Sequence, residues 1–346
     1  MAKKKHGARK SKQVVTLKAL AERVGLTPGT ISAVLNASEA SKAIPQHTQD
    51  RILLAARELN YQPNFFARTL RSKRTYTVGV IAQEIGDAYS GPIISGIESY
   101  LRDRNYFFLT GIHRHDPKLF DQYSQLLLRR GVEGFITIDL NLPHSLPLPT
   151  VAIAGHRRYG GVNNIVLDHR RAAELAISHL LELGHERIAF MRGNPASSDS
   201  ETRWQNICAV ADDLDVKVRP ELKLQIETEE SSPELGYGIT KRLLASGEKF
   251  TALFAYNDLA AIGAIRAIRE AGLEVPTDVS VVGFDDIEAA NYHSPTLTTV
   301  RQPLKEMGEI AAKTLMQAIE SKRGADEIAI KPQLMVRQST VAARKK

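Results

Sequence analysis

The spacing of apolar residues changes character near residue 77. Before it, the period is helical. Leu17, Leu20, Ala21 and Val24 fall at i, i+3, i+4 and i+7, one face of a helix. Gly25 follows, where the chain can turn through positive φ. Thr27 is placed to cap a second helix that has Pro28 at its first position. In that helix Ile31, Val34 and Leu35 face inward, and Pro28, Gly29, Thr30, Ser32, Ala33 and Asn36 face outward. A third amphipathic helix is predicted over about 48–59, with Ile52, Ala55, Ala56 and Leu59 on one face. Two helices joined by a tight turn, the second with a polar outer face, have the geometry of a helix-turn-helix that enters a DNA major groove. A buried αα-hairpin has the same pattern.

Beyond residue 77, continuous apolar runs alternate with helical patterns. The predicted strands begin at Val78, Tyr106, Gly134, Val151, Arg187, Ala252 and Val279. Helical periods lie near 91–104, 117–130, 170–183, 198–213, 233–247, 258–271 and 304–322. Apolar strands joined by helices imply parallel sheets covered on both faces. About 270 residues make two such doubly wound lobes, with a ligand cleft expected at the strand ends.

Charge sharpens this division. Residues 1–75 hold 15 Lys and Arg against 4 Asp and Glu, a net of +11, whereas the other 271 residues carry a net of −4. A basic head on a mildly acidic body is the footprint of a polyanion binder with a regulatory body. Residues 1–13 are expected to be a disordered basic tail, either adding phosphate contacts or simply solvated. No apolar run approaches 18 residues, and the basic N-terminus has no apolar stretch behind it, so neither a membrane span nor a secretory signal is expected. The single cysteine, Cys208, fits a reducing cytoplasm and a place in the core.

Catalytic signatures are missing. No G-x-G-x-x-G follows a strand, and no Walker A, H-E-x-x-H or G-x-S-x-G sequence occurs. Asp285 and Asp286 end a strand, where successive side chains point to opposite sides, so one of them is expected to face the cleft. His179 with His185, and His113 with His115, lack a metal-binding constellation. Neither an enzyme, a cofactor nor a metal is expected.

The order of helix-turn-helix, third helix, Asn60-Tyr-x-Pro-Asn64, Ala67-Arg68-x-Leu70 and a strand from Val78 resembles the lactose-repressor (LacI/GalR) family of bacterial transcription regulators, and the match continues from about 14 to 340. The resemblance implies a helix-turn-helix head over 14–61, a hinge helix and linker over 62–75, and a body over 76–341 like a periplasmic sugar-binding protein. The chain would cross between lobes near Leu167–Arg170, Val300–Gln302 and Lys331–Leu334. The N-lobe is then about 76–168 plus 302–331, and the C-lobe about 169–300 plus 333–341. The implied function is a DNA-binding regulator, expected to be a repressor and a homodimer on a pseudo-palindromic operator, controlled by a small polar ligand such as a sugar derivative. Control by a protein partner or corepressor remains the alternative, with an α/β enzyme more remote. Residues 336–346 carry no leucine heptads, so a dimer rather than a tetramer is expected.

By the same resemblance, Thr16, Thr27 and the outward face of the second helix meet DNA. Ala67 and Leu70 of the hinge helix enter the minor groove, and Asn64 and Arg68 meet phosphate or the groove floor. In the cleft, Arg203 stands in the family's Arg-x-x-Gly-aromatic segment, Asn257 in its Asn-Asp, and Asp285 in its Asp-Asp. Tyr89, Ser90 and Gln302 match further ligand positions. There are departures: Ala33 replaces an outward Arg, Ala154 an Asp, and Ser231 a stacking aromatic residue. Arg114, His156, Arg157 and Arg203 together would suit an anionic ligand such as a sugar phosphate or acid.

Overall fold

The computed structural model describes residues 15–36, 38–61, 74–157, 159–227, 232–321 and 327–344. It divides into two units, Met1–Arg74 and Thr75–Lys346. The expected basic tail, the hinge positions Asn64, Ala67, Arg68 and Leu70, and Ser231 lie outside the described residues.

In the first unit, α1 (Leu17–Val24) and α2 (Pro28–Leu35) are joined through Gly25 at φ 72°. The Thr16 and Thr27 hydroxyls accept from the N–H groups of Ala19 and Thr30, capping the two helices. A short 3-10 segment, Glu39–Ala43, leads to α3 (Gln46–Glu58). The third helix starts two residues earlier than the periodicity predicts, because Pro45 breaks the chain and leaves Gln46 as the first helical residue. Its Gln49 side chain donates back to the Ile44 carbonyl, and Arg51 donates to the last carbonyl of α1, on Val24. Leu20, Ile31 and Ile52 are fully buried at the meeting of the three helices. Each is worth about 1.5–3 kcal/mol of burial.

Among the described residues, the second unit has two six-stranded sheets. Its strands are β1 (Thr77–Ala82), β2 (Phe107–Ile112), β3 (Phe135–Ile138), β4 (Thr150–Ile153), β5 (Val162–Leu167), β6 (Ile188–Arg192), β7 (Lys223–Gln225), β8 (Ala252–Phe254), β9 (Ser280–Asp285), β10 (Thr298–Arg301), β11 (Glu327–Ile330) and β12 (Gln333–Met335). The first sheet runs β11-β5-β4-β3-β1-β2 and is wholly parallel. The second runs β12-β10-β9-β8-β6-β7, with only the β10–β12 pair antiparallel. Helices α4 (Ser90–Arg102), α5 (Pro117–Arg129), α6 (His169–Glu182), α7 (Ser198–Asp213), α8 (Pro233–Ala245), α9 (Asp258–Glu270), α10 (Glu288–Tyr292) and α11 (Leu304–Ser321) cover them.

The chain passes between the sheets three times: from β5 into α6, from β10 into α11, and from β11 into β12. The first and third passages are held side by side, the Asp168 N–H donating to the Ile330 carbonyl at 2.9 Å.

Each lobe joins two helices through a glycine pair. In the first, a Cβ on Gly96 of α4 would lie 2.0 Å from the Lys305 carbonyl oxygen, and one on Gly308 of α11 would lie 2.0 Å from that of Ile93. In the second, the corresponding pair is Gly236 of α8 against Ala260 and Gly263 of α9 against Pro233, at 1.9 and 1.8 Å. The C-terminal residues bind the second lobe: His179 bonds Thr340, and His185 bonds Thr251 and the Val341 carbonyl. These two histidines are therefore structural. Among the described residues no helix is long and apolar enough to cross a membrane.

Candidate ligand cleft and nucleic-acid interface

The strand order reverses between β3 and β1 in one sheet and between β8 and β6 in the other. Crevices open at such points, at the carboxyl ends of the strands. The loops that follow these four strands supply Gln83, Asp87 and Tyr89, then Asp139, then Asn194 and Ser197, then Tyr256 and Asn257, all lining one cleft. His115, Asp199, Arg203 and Asp285 complete its polar wall. It encloses about 100 Å³ measured at the centres of the water molecules it could hold.

Of the residues expected there, Tyr89, Arg203, Asn257 and Asp285 line the cleft. Ser90 and Gln302 stand behind it. Ser90 is buried at the start of α4, its N–H and hydroxyl directed to Asp87. Gln302 donates from Nε2 to Asp285 Oδ1 at 2.6 Å. Asp286 turns away from the cleft to pair with Arg301 and Arg337, each at 2.6 Å.

The basic wall expected for an anionic ligand does not form. Arg114 is exposed, Arg157 reaches the Leu142 carbonyl, and His156 pairs with Asp199. Only Arg203 of that set lines the cleft, facing Asp87, Asp139, Asp199 and Asp285. Burying several carboxylates around one guanidinium disfavours a further negative charge.

Arg203 is fixed on every side. Nη1 donates to the Tyr256 carbonyl at 2.8 Å, Nη2 lies 3.5 Å from Asp199 Oδ2, and the guanidinium stacks 3.8 Å above the Phe284 ring. Asn257 caps α9 with Oδ1, accepting from the Ala260 N–H at 2.9 Å. Asp285 occupies a left-handed backbone position, φ 106°, at the end of β9. Burial pushes its carboxyl up to about 7, against the opposing pull of Arg203 and the Gln302 bond. Among the described residues, Tyr89 Oη, Asn194 Nδ2 and Arg203 Nε are buried on the cleft wall without a hydrogen-bond partner.

Two carboxylates span the lobes, and the sequence reading missed both. Asp139 Oδ1, beyond β3, accepts from the Ser198 N–H and hydroxyl at 2.9 and 2.8 Å, at the first turn of α7. Its Oδ2 meets His115 Nε2 at 3.1 Å. Burial works to raise the Asp139 carboxyl, but His115 and Ser198 outweigh it and hold the group below the usual range. The second, Asp199, is met by His156 and His169. A search for polar residues just beyond apolar strands would have found Asp139, Asn194 and Tyr256.

Asp285 makes stability pH-dependent. An ordinary aspartate titrates near 3.9 unfolded. Between that pH and about 7 the folded chain keeps a proton that the unfolded chain has lost, so this group's contribution falls as pH rises through the window. Asp285→Asn is expected to match the parent near pH 4 and to exceed it at pH 8 by roughly 1–4 kcal/mol. Urea unfolding at the two pH values measures this; an equal difference at both would contradict it.

In the first unit, Thr27, Pro28, Gly29 and Asn36 are exposed, and Thr30, Ser32 and Ala33 are partly exposed, along one side of α2. The Thr27 and Thr30 hydroxyls bond each other at 2.9 Å, and Asn36 Nδ2 donates to the Ser32 carbonyl at 2.7 Å. Thr16, exposed, stands at the start of α1.

Comparison with known proteins places these features. Residues 16–64 match the family described as bacterial regulatory proteins, lacI family, and residues 177–340 match a periplasmic binding protein-like domain. The HTH-type transcriptional repressor PurR of Haemophilus influenzae is 30% identical over 341 residues, covering 94% of this chain and 98% of its own. The Ribose operon repressor of the same species is 27% identical, with the same coverage. Among solved structures, the lac repressor dimer bound to operator and an anti-inducer superposes with a TM-score of 0.84 at 25% identity, covering 95% of this chain and 100% of its own. A complex of the regulator CelR with cellobiose gives 0.70 at 26%, covering 94% and 99%. With a helix-turn-helix head, a two-lobed body and a near full-length relative at 30% identity, the chain belongs to the LacI family of bacterial regulatory proteins.

Proposed function

We propose that this regulator is a cytoplasmic, homodimeric repressor whose operator affinity is set by an uncharged polar ligand of about one ring, held in the cleft of the body. The observation that carries the ligand class is the set of unpartnered Tyr89 Oη, Asn194 Nδ2 and Arg203 Nε beside the acceptor Asp285. Such a wall suits a molecule with both hydroxyl or amide donors and oxygen acceptors. A cleft of about 100 Å³ measured at water centres suits a small ligand, on the order of one sugar ring or nucleobase. Arg203 and Asn257 hold ligand oxygens, Tyr89 covers a face, and Asp285, steadied by Gln302, orients a donor. Ser90 acts through Asp87.

On DNA, Thr16, Thr27, Thr30 and Ser32 hold phosphates while Pro28, Gly29, Ala33 and Asn36 approach base edges; Ala67 and Leu70 enter the minor groove, and Asn64 and Arg68 meet phosphate or the groove floor. With no long basic side chain on the outer face of α2, guanine readout is weak, and specificity leans on DNA shape. Phe107, 70% exposed on edge strand β2, and Tyr292, 82% exposed at the end of α10, support a second copy against the body. The lac repressor relative was solved as an operator-bound dimer.

Randomised-site selection with the whole chain is expected to return a pseudo-palindrome. Neutralising roughly eight phosphates gives a slope of log affinity against log salt near −7. Full-affinity binding of one chain to one half-site would overturn the dimer reading.

A further inference from the structure

At the side of the cleft, where Asp199 forms part of the wall, two imidazoles and a carboxylate converge on one point. His156 follows β4 in the first lobe, whereas His169 opens α6 and Asp199 lies in the first turn of α7, both in the second. His156 Nε2 is 2.6 Å, and His169 Nε2 3.1 Å, from the same oxygen, Asp199 Oδ1. One ligating atom from each of the three residues falls within 4.8 Å of the others. We propose that His156, His169 and Asp199 form a binding site for a borderline divalent cation of the zinc class, which ties the two lobes together.

The donor set is the first reason. Two imidazole nitrogens and one carboxylate oxygen are the ligands of three-residue zinc sites that keep a fourth position open. Magnesium and calcium call for more oxygen donors.

His169 is the second reason. It is 4% exposed, and neither of its ring nitrogens makes a hydrogen bond. Nε2 is close to Oδ1 but out of line for donation. An unsatisfied buried polar group is costly, and a cation held between Nε2 and Oδ1 gives Nε2 a partner that its 3.1 Å contact with the carboxylate does not, while Nδ1 stays as it is.

Spacing is the third. Bonds of about 2.0–2.1 Å in a tetrahedron put ligand atoms about 3.3 Å apart. The His169–Asp199 separation is already near this, and His156 must withdraw by roughly 0.7 Å. Its side chain, 20% exposed, is the freest of the three. Arg203 stands at the other carboxylate oxygen, Oδ2, which leaves Oδ1 for a single metal bond.

A bound cation would link the segment after β4 to both α6 and α7, favouring the lobe arrangement seen here over any that separates His156 from Asp199. This needs no small ligand in the cleft, so the site stands or falls apart from the proposed effector.

The test is a titration of the full chain, first stripped with chelator, with Co2+ followed by visible absorption and with Zn2+ followed by competition against a chromophoric chelator. One equivalent per chain is expected, with nitrogen–oxygen ligand-field bands and no thiolate charge transfer, since Cys208 takes no part. His156→Gln and His169→Gln should each weaken Zn2+ binding at least tenfold, a ligand weighing more than the outer-shell groups that cost 10–100-fold. His144→Gln, altering an exposed histidine paired with Asp121, should leave it unchanged. Zn2+ should also raise the melting temperature of the parent but not of His156→Gln, a change at the most exposed of the three side chains. Failure to bind Co2+ or Zn2+, or equal affinity in the parent and both site variants, would overturn the proposal.

Discussion

Arg203→Ala is expected to destabilise the body by about 3–5 kcal/mol, and to lose the response to the cleft ligand at the same time. The guanidinium is buried between the Tyr256 carbonyl, Asp199 and the Phe284 ring, so alanine leaves a carbonyl unpaired, a ring face uncovered and a carboxylate less compensated. Removing one member of a buried pair costs far more than the pair itself contributes, because the other charge stays in place. It also removes the cation that pulls Asp285 down, so that carboxyl rises further and stays protonated at higher pH. Arg203→Lys separates the two roles: it keeps the charge but loses the flat face on Phe284 and the forked donors. Urea unfolding and calorimetric ligand titration of all three chains measure both effects. If Arg203→Ala unfolds with the parent and binds ligand as tightly, the cleft is not organised around this residue.

The second large effect lies at the glycine pairs. Gly236→Ala is expected to destabilise the second lobe by about 1–3 kcal/mol or more, since the new methyl meets the backbone oxygen of Ala260 at 1.9 Å and only a shift of α8 from α9 relieves it. Gly238, two residues further along the same helix, has nothing closer than the flexible tip of Arg242 at 3.9 Å. There alanine should stabilise by about 0.5–1 kcal/mol, the ordinary gain from replacing glycine inside a helix. Opposite signs for two identical changes one half-turn apart isolate packing from propensity. Similar melting temperatures for the two variants would mean that the helices do not meet as closely as described.

The fold class was legible because its strands are apolar throughout and its helices carry one apolar face. What escaped were elements whose sequences break that rule. β5 contains Asn163 and Asn164, both buried, and reads as a polar turn rather than a strand. β7, β10, β11 and β12 each carry a charged or amide residue within three or four positions, so none shows the continuous apolar run that marks the equally short β3, β4 and β8. In the cleft, Tyr89, Arg203, Asn257 and Asp285 stood out through motifs that lie next to one another in sequence. Asp139 and Asp199 did not, since their partners His115, His156 and Ser198 are brought to them only by the two sheets. The charge of the cleft was misjudged for a related reason. Basic residues near strand ends were counted without knowing their direction, and His156 and Arg157 turn to partners of their own.

Because the chain passes between the sheets three times, neither lobe is complete in any shorter stretch of sequence. β11, ending at Ile330, closes the first sheet, and β12, ending at Met335, closes the second. During synthesis the three-helix head has all its parts by Leu59, whereas the body must wait for more than 270 further residues, roughly 14–55 s at 5–20 residues per second. From the time each is made until β11 and β12 emerge, β5 and β10 have one edge with no neighbouring strand to cover it. A message that ends before residue 327 therefore yields a head attached to two open sheets, prone to aggregation rather than to regulated release of DNA.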